Sequence, residues 1–426
     1  MSVLAANCPS CGAPVEFRSG SSIVLICPYC RSALARTDRG LADLGKCAEV
    51  VQSESPLKVG LRGSFQGINF ELTGRAQLKH SLGGFWDEWY ATFSNGWVGW
   101  LAEAQGRFYL TFYRPLNEGE FIPDWENLLP GSVIGSIKTN TPLMVQEVGK
   151  AETFAAEGEI PYKLIPGEEV RFADLAGKDG VFATIDYSFE TPRLFLGKQV
   201  SLEEIGLSEA APQKREARRV SAVSMGCPNC GGPLDFKAPD QSERVTCPNC
   251  KSLLDVNQGN LRYLKSLSPP PSTPEFCLPI GAEGIFGNEK YRILGRMMRS
   301  VTFDIKYFWY EYLLYNPKIG FRWLVHSDNH WSFVEPVNPA DVTLPHDNPL
   351  GSILQNQNLA SAVVTALPVT VKGQKCNYRG KDFVVFQDAT ATVEWVEGEF
   401  YWKVEQGEKV RAIDYIAPPQ MLSQEI

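Results

Sequence analysis

The pairing of cysteines constrains this chain more than any other feature of its sequence. Eight of its 11 cysteines form four Cys-x-x-Cys pairs, with 15 residues between the first two pairs and 16 between the last two. This spacing is typical of a four-cysteine zinc site, in which two tight turns each present two thiolates to one ion. The predicted ligands are Cys8, Cys11, Cys27 and Cys30 in site 1, and Cys227, Cys230, Cys247 and Cys250 in site 2.

The residues around these cysteines also favour metal-binding turns. Proline follows the first cysteine of every pair, and glycine follows Cys11 and Cys230, where the chain must turn away from the ion. Because protein fills all four ligand positions of each site, we predict two structural Zn²⁺ ions rather than catalytic ones. A thioredoxin-like redox pair would not occur in matched couples. Four thiolates also suit iron, so spacing leaves zinc and iron open.

The other three cysteines have no close partner in the sequence. An odd total in a chain of 426 residues argues against a small secreted disulfide scaffold. We therefore predict that Cys47, Cys277 and Cys376 are small buried hydrophobic residues.

The chain contains the same plan twice. CPSCGAPVEF (8–17) matches CPNCGGPLDF (227–236), and EGEIPYKLIPGEEVRFADL (157–175) matches EGEFYWKVEQGEKVRAIDY (397–415). A tandem duplication follows, in which each half consists of one zinc module and one larger domain. The predicted units are zinc ribbon 1 (1–46), β domain 1 (56–207), a linker (208–223), zinc ribbon 2 (224–262), a Pro-rich linker (263–276) and β domain 2 (277–426).

Short aromatic and β-branched runs between turn residues predict that both larger domains are β structures. Ser94-Asn95-Gly96 predicts a hairpin, and Glu157-Gly158-Glu159 and Glu397-Gly398-Glu399 are interpreted as further hairpin tips. Brief helical segments are predicted at 202–205 and at the C-terminus, and the Pro-rich linker is expected to be a stiff, extended spacer. The predicted fold class is mainly β, with two zinc ribbons and two antiparallel barrels or sandwiches in tandem.

The layout resembles a known bacterial family. A CPxCG…CPxC module precedes a β domain that ends in Ile413–Ser423, and the segment Phe182–Tyr187 resembles the end of a first copy. The chain is similar in both halves to domain-of-unknown-function family number forty-one seventy-eight. The first half carries the additional residues Ala176–Val200. The resemblance implies an accessory protein, encoded beside polyamine synthases and small membrane proteins of an envelope-stress type, and it assigns no catalytic residue.

Charge and hydropathy limit the classes of partner. The formal net charge is −8, so the whole chain is not a polycation for phosphate backbones. It has no run of 18 apolar residues, and its N-terminus lacks the basic and apolar regions of a signal peptide. We therefore expect a cytoplasmic protein without a membrane span.

The sequence shows no readable catalytic constellation. It has four histidines; His326 and His330 lie in a turn-like context that gives their spacing no helical meaning, and His80 and His346 are expected at the surface. The Glu residues that flank Gly158 and Gly398 are interpreted as charged hairpin tips rather than catalytic acids. We expect the protein not to be an enzyme.

Three functional classes remain open at this point. The favoured one is a zinc-binding, non-catalytic adaptor or scaffold with protein partners, some of them membrane-associated. Nucleic-acid binding is less favoured, because four arginines against three carboxylates give residues 1–45 a net charge of only +1, and residues 220–262 are neutral. The third is a β barrel for a cationic amine, with these candidate cage residues: Trp309, Tyr310, Trp395 and Trp402.

Overall fold

The structure, a computed structural model, describes residues 4–17, 20, 22–37, 40–51, 55–162, 164–207, 225–238, 241–257, 260–343 and 375–425. The predicted linker 208–223 and His346 lie outside these residues. The described residues form two compact units, one built mainly from residues before 214 and the other mainly from later ones. Each unit contains one cysteine-rich module and one large antiparallel sheet, so the predicted fold class is confirmed.

The described part of the first half consists of strands and two short 3-10 turns. The turns are Trp125–Asn127 and Lys178–Gly180. The strands are β1 (Leu4–Asn7), β2 (Pro14–Phe17), β3 (Val24–Ile26), β4 (Ser32–Thr37), β5 (Gly40–Lys46), β6 (Arg62–Phe65), β7 (Ile68–His80), β8 (Phe85–Phe93), β9 (Val98–Ala104), β10 (Arg107–Arg114), β11 (Val133–Ile134), β12 (Leu143–Ile160), β13 (Glu169–Ala176), β14 (Val181–Asp186) and β15 (Arg193–Val200).

Eight of these strands close into a barrel. Their order is β12-β13-β14-β15-β10-β9-β8-β7, and β7 pairs again with β12 to complete the ring. Every pair in the ring is antiparallel, and the predicted hairpin at Ser94-Asn95-Gly96 joins β8 to β9. A closed ring leaves none of its eight strands as an open edge, which is a common way for an antiparallel sheet to protect its backbone groups.

The cysteine-rich module shares its sheet with the barrel. β3 pairs with β12 at Val24 and Ile160, and β4 and β5 continue the same sheet outward. Val24, Ile26 and Ala33 pack in one hydrophobic cluster with barrel residues such as Ala76. The ribbon is therefore joined to its barrel by backbone hydrogen bonds and by a common core.

The described part of the second half repeats this order. It has one 3-10 turn, Pro339–Asp341. Its strands are β16 (Met225–Gly226), β17 (Pro233–Leu234), β18 (Arg244–Thr246), β19 (Ser252–Asn257), β20 (Asn260–Ser266), β21 (Glu283–Phe286), β22 (Glu289–Thr302), β23 (Lys306–Asn316), β24 (Gly320–Ser327), β25 (His330–Val334), β26 (Val342–Thr343), β27 (Lys375–Tyr378), β28 (Lys381–Phe400), β29 (Lys409–Ala417) and β30 (Gln420–Glu425).

The corresponding sheet of the second half has seven main strands in its described residues, and it is open. Their order is β30-β29-β28-β22-β23-β24-β25, and the ribbon again joins through β18, which pairs with β28. Within the part of this half that the structure describes, β25 and β30 pair with no further strand at their outer edges. The predicted C-terminal helix is wrong, because residues 420–425 form β30, and residues 202–206 form turns rather than a helix.

Both Glu-Gly-Glu segments lie inside long strands, so their interpretation as hairpin tips is wrong. Gly158 and Gly398 have φ values of 73° and 89°, which bend β12 and β28 where each strand leaves the barrel and meets its ribbon. A Cβ on Gly74 would lie 2.0 Å from the carbonyl oxygen of Glu159, so the neighbouring strand also requires a glycine. Glycine here permits a close backbone crossing instead of a chain reversal.

The Pro-rich segment is bound to the sheet along its first part. Its first residues belong to β20, and Leu267 is buried in the core of the second half. The backbone N–H of Ser268 donates to Gln406 Oε1 at 2.8 Å, and Gln406 Nε2 donates back to the Ser268 carbonyl at 2.9 Å. This segment is therefore held against the sheet by packing and by a pair of hydrogen bonds.

Candidate metal centres

The structure brings each predicted cysteine quartet together. In site 1 the Sγ atoms of Cys8 and Cys30 are 3.7 Å apart, and those of Cys11 and Cys27 are also 3.7 Å apart. All four Sγ atoms lie within 4.8 Å of one another. None of these sulfurs forms a disulfide.

Site 2 has the same geometry. The Sγ atoms of Cys227 and Cys250 are 3.7 Å apart, and those of Cys230 and Cys247 are 3.8 Å apart. A metal–sulfur distance of about 2.3 Å in a tetrahedron requires sulfur–sulfur distances of about 3.8 Å. The observed distances match this value in both halves, so both quartets fit a tetrahedral ion. Among the described residues, these two quartets are the only groups of three or more His, Cys, Asp or Glu side chains that could hold one metal ion.

Backbone hydrogen bonds shape the turns that present the sulfurs. The N–H of Gly12 donates to the Cys8 carbonyl at 2.8 Å, and Gly231 repeats this bond with Cys227 at 2.8 Å. Both glycines have positive φ values, 77° and 72°, as the turn chemistry of the sequence predicts. The second turn of each site instead places a basic residue in the left-handed region, with φ of 63° at Arg31 and 57° at Lys251.

One cysteine in each quartet is poised to ionise. Cys30 Sγ lies 3.4 Å from Ser32 Oγ, and the hydroxyl and backbone of Ser32 together lower the pKa of Cys30 to about 6. Cys250 Sγ lies 3.2 Å from Ser252 Oγ, and this hydrogen bond lowers the pKa of Cys250 to about 6. Thiolates are the form that binds metals, so each site contains one sulfur that is ready to coordinate at neutral pH.

The remaining cysteines fall into two groups. Cys47 and Cys376 are buried, as predicted, and burial raises the pKa of each thiol to about 11. Cys277 is exposed, so its prediction as a buried residue is wrong. Its Sγ lies 3.7 Å from His326 Nδ1, a contact that 48 intervening residues hide from sequence inspection.

A carboxylate inside the second half ties the ribbon to the barrel strand. Glu399 is buried and accepts hydrogen bonds from the backbone N–H groups of Lys237 and Ala238, at 2.6 and 2.9 Å. Ser242 Oγ donates to the same carboxylate at 2.9 Å. Because these donors belong to the ribbon and Glu399 belongs to β28, the residue that the sequence suggested as a hairpin tip couples the two modules.

The neighbouring carboxylate, Glu397, connects the metal-binding turn to the barrel. It accepts from Arg296 at 2.6 and 2.9 Å and from Lys251 Nζ at 3.3 Å, next to the ligand Cys250. Burial opposes ionisation of Glu397, but the hydrogen bonds from Arg296 dominate and lower its pKa. In the first half, Arg75 and Glu157 form the corresponding pair at 3.6 Å.

The interior of the first barrel contains carboxyl groups that sequence inspection missed. Trp86 of β8 contacts Phe172 of β13, with ring centroids 5.3 Å apart, although the two strands are not neighbours in the sheet. This contact crosses the interior, so Glu88, two residues from Trp86 on the same face of β8, also points inward. Burial raises the pKa of Glu88 to about 7 and that of Asp174 to about 8.

The histidines do not form a metal site in the described residues. His326 and His330 flank the β24–β25 turn, and the ring of Trp331 stacks on His326 at 4.3 Å between centroids. His80 is not the surface residue that the sequence suggested: Nε2 lies 3.1 Å from Glu147 Oε1, and Phe172 packs against the ring.

The four aromatic residues proposed as cage walls do not line one cavity. Trp309 and Tyr310 are consecutive in β23, so their side chains point to opposite faces of the sheet. Trp395 is buried in the core of the second half, and Trp402 packs against the same core. Trp309 instead donates its indole N–H to Glu311 at 2.7 Å.

Comparison with known proteins places the β domains in one family. No curated protein and no solved structure matches the chain. In the part of the chain that the structure describes, no helix is long and apolar enough to span a membrane. The profile of a family described as Domain of unknown function (DUF4178) matches residues 58–202 and again residues 279–426, which confirms the resemblance noted in the sequence. The chain belongs to this family and carries two copies of its domain.

Proposed function

We propose that the protein is a non-catalytic adaptor in which each half is stabilised by one structural zinc ion. The observation that carries the zinc assignment is the distance of 3.7 to 3.8 Å between sulfurs in both quartets. Four thiolates in two paired turns fill a tetrahedron, and a structural zinc site requires no open position for substrate. Iron is the alternative metal that the same ligands would accept.

The joint between ribbon and barrel supports a structural role for the ion. β3 and β18 continue the sheets of the barrels, and each ribbon shares a hydrophobic cluster with its barrel. Zinc binding to such thiolate sites contributes roughly 10 kcal/mol or more to folding, because the sulfurs are not arranged without the ion. Each ion therefore stabilises a ribbon strand, β3 or β18, that pairs with the longest strand of the neighbouring β domain.

Exposed apolar residues support the adaptor role. Phe303, Ile305 and Tyr307 lie at the tip of the β22–β23 hairpin with half or more of each residue exposed. Large apolar side chains that are grouped at a surface are typical of sites for protein partners, in which aromatic anchors contribute much of the binding energy. These residues and the rigid ribbon–barrel joints support a protein that binds other proteins.

Metal analysis and partner capture test the two parts of this proposal. Elemental analysis of the purified protein should give two equivalents of zinc, and Cys8→Ser and Cys227→Ser should each remove one. Cys277→Ser is the matched control, because this exposed thiol lies outside both quartets. Tagged protein from the native host should retain protein partners in stoichiometric amount. Iron in place of zinc, or a chain that retains no partner, would contradict the corresponding part.

The interior of the first barrel favours a second candidate function, the binding of a cationic amine. Burial raises the pKa of three carboxyl groups there, those of Glu88, Asp174 and Asp186. The rings of Trp100 and Tyr162 are in contact, and Tyr162 lies close enough to Glu88 and Asp186 to feel their charge. Eight-stranded barrels can hold one small ligand, and aromatic faces and carboxylates both attract ammonium groups.

Calorimetry with putrescine tests this candidate. Titration into the zinc-loaded protein should give saturable heat, with release of protons as the bound cation lowers the carboxyl pKa values. Asp174→Asn should weaken this binding, whereas Asp414→Asn, the equivalent change in the second half, should leave it unchanged. Equal weak heats for all three proteins, suppressed by salt, would reject a specific amine site.

A further inference from the structure

In the described part of the second half, the outer edge of β25 has no paired strand at a position that β15 fills in the first half. β25 corresponds to β10, since Phe333 pairs with Leu324 as Leu110 pairs with Leu101. In the first half, β15 lies between β10 and β14 and pairs with both. Among the described residues of the second half, no strand lies between β25 and β30, the counterpart of β14.

The second sheet is curved, because an ion pair joins two of its strands that are not neighbours. Glu425 of β30 contacts Arg299 of β22 at 2.9 Å, although β28 and β29 separate these strands in the sheet. Arg299 also contacts Glu311 of β23 at 3.2 Å. The Arg299–Glu425 pair spans β28 and β29, so it holds β30 close to β22, and β25 and β30 are the two end strands of the described sheet.

Apolar residues are exposed along this edge. Trp331 is 43% exposed and Phe333 is 36% exposed, whereas Leu110, the counterpart of Phe333, is 1% exposed. In the first half, β15 and the turn after it supply Val200, Ile205 and other apolar residues to the cluster that buries Leu110. An apolar sheet edge with unpaired backbone groups is a template for another strand.

The hairpin turn determines which backbone groups are available. Asp328 and Asn329 form a two-residue turn with φ of 47° and 63°, so Ser327 and His330 exchange both hydrogen bonds across β24 and β25. Alternate residues then direct their backbone groups outward. Trp331 and Phe333 therefore present their N–H and C=O groups to the open position.

We propose that this position captures an extended peptide segment of a partner protein, which pairs with β25 and completes the second barrel. The proposal rests on the adaptor function and specifies how the partner is held. β15 indicates the chemistry of the segment: Leu194 and Val200 are buried, and Arg193 lies opposite Asp186. Glu425 takes the place of Asp186 in β30, so the captured strand combines apolar residues with a basic residue opposite this carboxylate.

A peptide with the sequence of β15 is a probe for the open position. RLFLGKQV (193–200), labelled with a fluorophore, is titrated with the full-length, zinc-loaded protein and followed by anisotropy. The expected result is saturable binding of one peptide per chain. A scrambled peptide should not bind, and a peptide with Glu at the position of Arg193 should bind more weakly because it faces Glu425.

Two variants at one residue separate strand pairing from simple apolar contact. Phe333→Pro removes the outward N–H without touching the bonds to β24, and it should weaken binding by at least about tenfold. Phe333→Ala removes the ring but keeps the N–H, and it should weaken binding by no more than about threefold. Equal affinities of Phe333→Pro and the parent would overturn the proposal.

Hydrogen exchange identifies any other occupant. The amides of Trp331 and Phe333 should exchange fast in the free protein and slowly with the peptide. Slow exchange in the free protein, from the chain itself or from a second copy detected by sizing, would overturn the proposal. If host partners bind the parent and Phe333→Pro equally and the peptide does not bind, then the adaptor function is supported and strand capture at β25 is rejected. If the peptide binds but no host partner is found, then strand capture at β25 is supported and the adaptor function is rejected.

Discussion

The two halves share the joint between ribbon and barrel and differ in how the barrel closes. In both, a ribbon strand pairs with the end of the longest barrel strand, and a pair of glycines permits the crossing: Gly74 with Gly158, and Gly295 with Gly398. In the first half β15 completes a ring of eight strands, whereas in the second half the described strands leave one position open. The joint is therefore the common structural unit, and the closing strand is the variable one.

The interiors of the two barrels differ in charge. Glu311 in the second half takes the place of Glu88, and Arg299 beside it takes the place of Leu78. Arg299 contacts Glu311 at 3.2 Å and opposes the effect of burial on the pKa of that carboxyl group. In the first half burial and the like charge of Asp186 raise the pKa of Glu88, and burial and the charge of Glu88 in turn raise the pKa of Asp174. The same position thus holds a carboxyl group beside an arginine in the second half and a carboxyl group beside other acids in the first.

The largest expected effect is the destabilisation of one half by the loss of its metal ion. This effect tests whether both halves depend equally on the joint between ribbon and barrel. Cys8→Ser and Cys227→Ser should each remove one ion and roughly 10 kcal/mol of folding free energy from their own half. Because β3 pairs with β12 and β18 with β28, protection from hydrogen exchange should fall in the affected ribbon and at the end of its barrel strand.

The other half and Cys277→Ser provide the controls for this experiment. Exchange in the half that keeps its ion should be unchanged, and Cys277→Ser should retain both ions. If a barrel strand keeps its full protection after its ribbon has unfolded, then the ribbon and barrel fold independently and the joint has no energetic role.

The next effect sharpens the comparison of the two crossings. A Cβ on Gly74 would lie 2.0 Å from the Glu159 carbonyl oxygen, and a Cβ on Gly295 would lie 2.5 Å from that of Glu399. Backbone atoms cannot yield as a side chain can, so Gly74→Ala should cost about 3 kcal/mol, and Gly295→Ala somewhat less. Gly135→Ala, with no atom within 4 Å, is the matched control, and it should change stability by less than about 1 kcal/mol in chemical denaturation. A cost at Gly135 equal to that at Gly74 would contradict this explanation.

A smaller effect follows from the charge of the interiors. The folded first half binds protons at Glu88 and Asp174, with pKa values of about 7 and about 8, that the unfolded chain has already released. Its stability should therefore be higher near pH 6 and fall as pH rises through 7 and 8, by up to about 1.4 kcal/mol per pH unit for each proton. Urea unfolding at several pH values measures the slope, and Asp174→Asn should reduce it. A slope that is unchanged in Asp174→Asn would assign the dependence to another group.

The metal sites could be predicted from the sequence because their ligands are local. Cys8 and Cys11 share one turn, and only 15 or 16 residues separate the two pairs of a quartet, so spacing alone identifies the quartets. The pairing of Val24 with Ile160 joins distant segments, and no periodicity in either strand indicates it. Gly158 does not mark a hairpin turn, because a positive φ serves a bend within a strand as readily as a turn.

The contacts of single side chains were the least predictable feature. His80 in β7 lies beside Glu147 of β12, and Cys277 in a connecting segment lies beside His326 of β24, so only the folded structure brings these residues together. The closure of the first barrel depends in the same way on the pairing of β7 with β12, which the alternation of apolar residues does not specify.

The smallest expected effect compares the basic residues beside the two metal sites. Lys251 Nζ contacts Glu397 at 3.3 Å, and Glu397 belongs to the barrel strand and is also held by Arg296. Arg31 contacts Glu49 at 3.2 Å, and both side chains are more than half exposed. Lys251→Met should therefore destabilise the second half by about 0.5 kcal/mol, and Arg31→Met should change the first half by less. Urea unfolding in low and high salt measures both values, and high salt should reduce the Arg31 effect by a larger fraction than the Lys251 effect, because the Arg31–Glu49 pair is more exposed. If Arg31→Met has the larger effect, then the ion pair to the barrel does not contribute to the joint, and the backbone pairing of β18 with β28 accounts for the coupling alone.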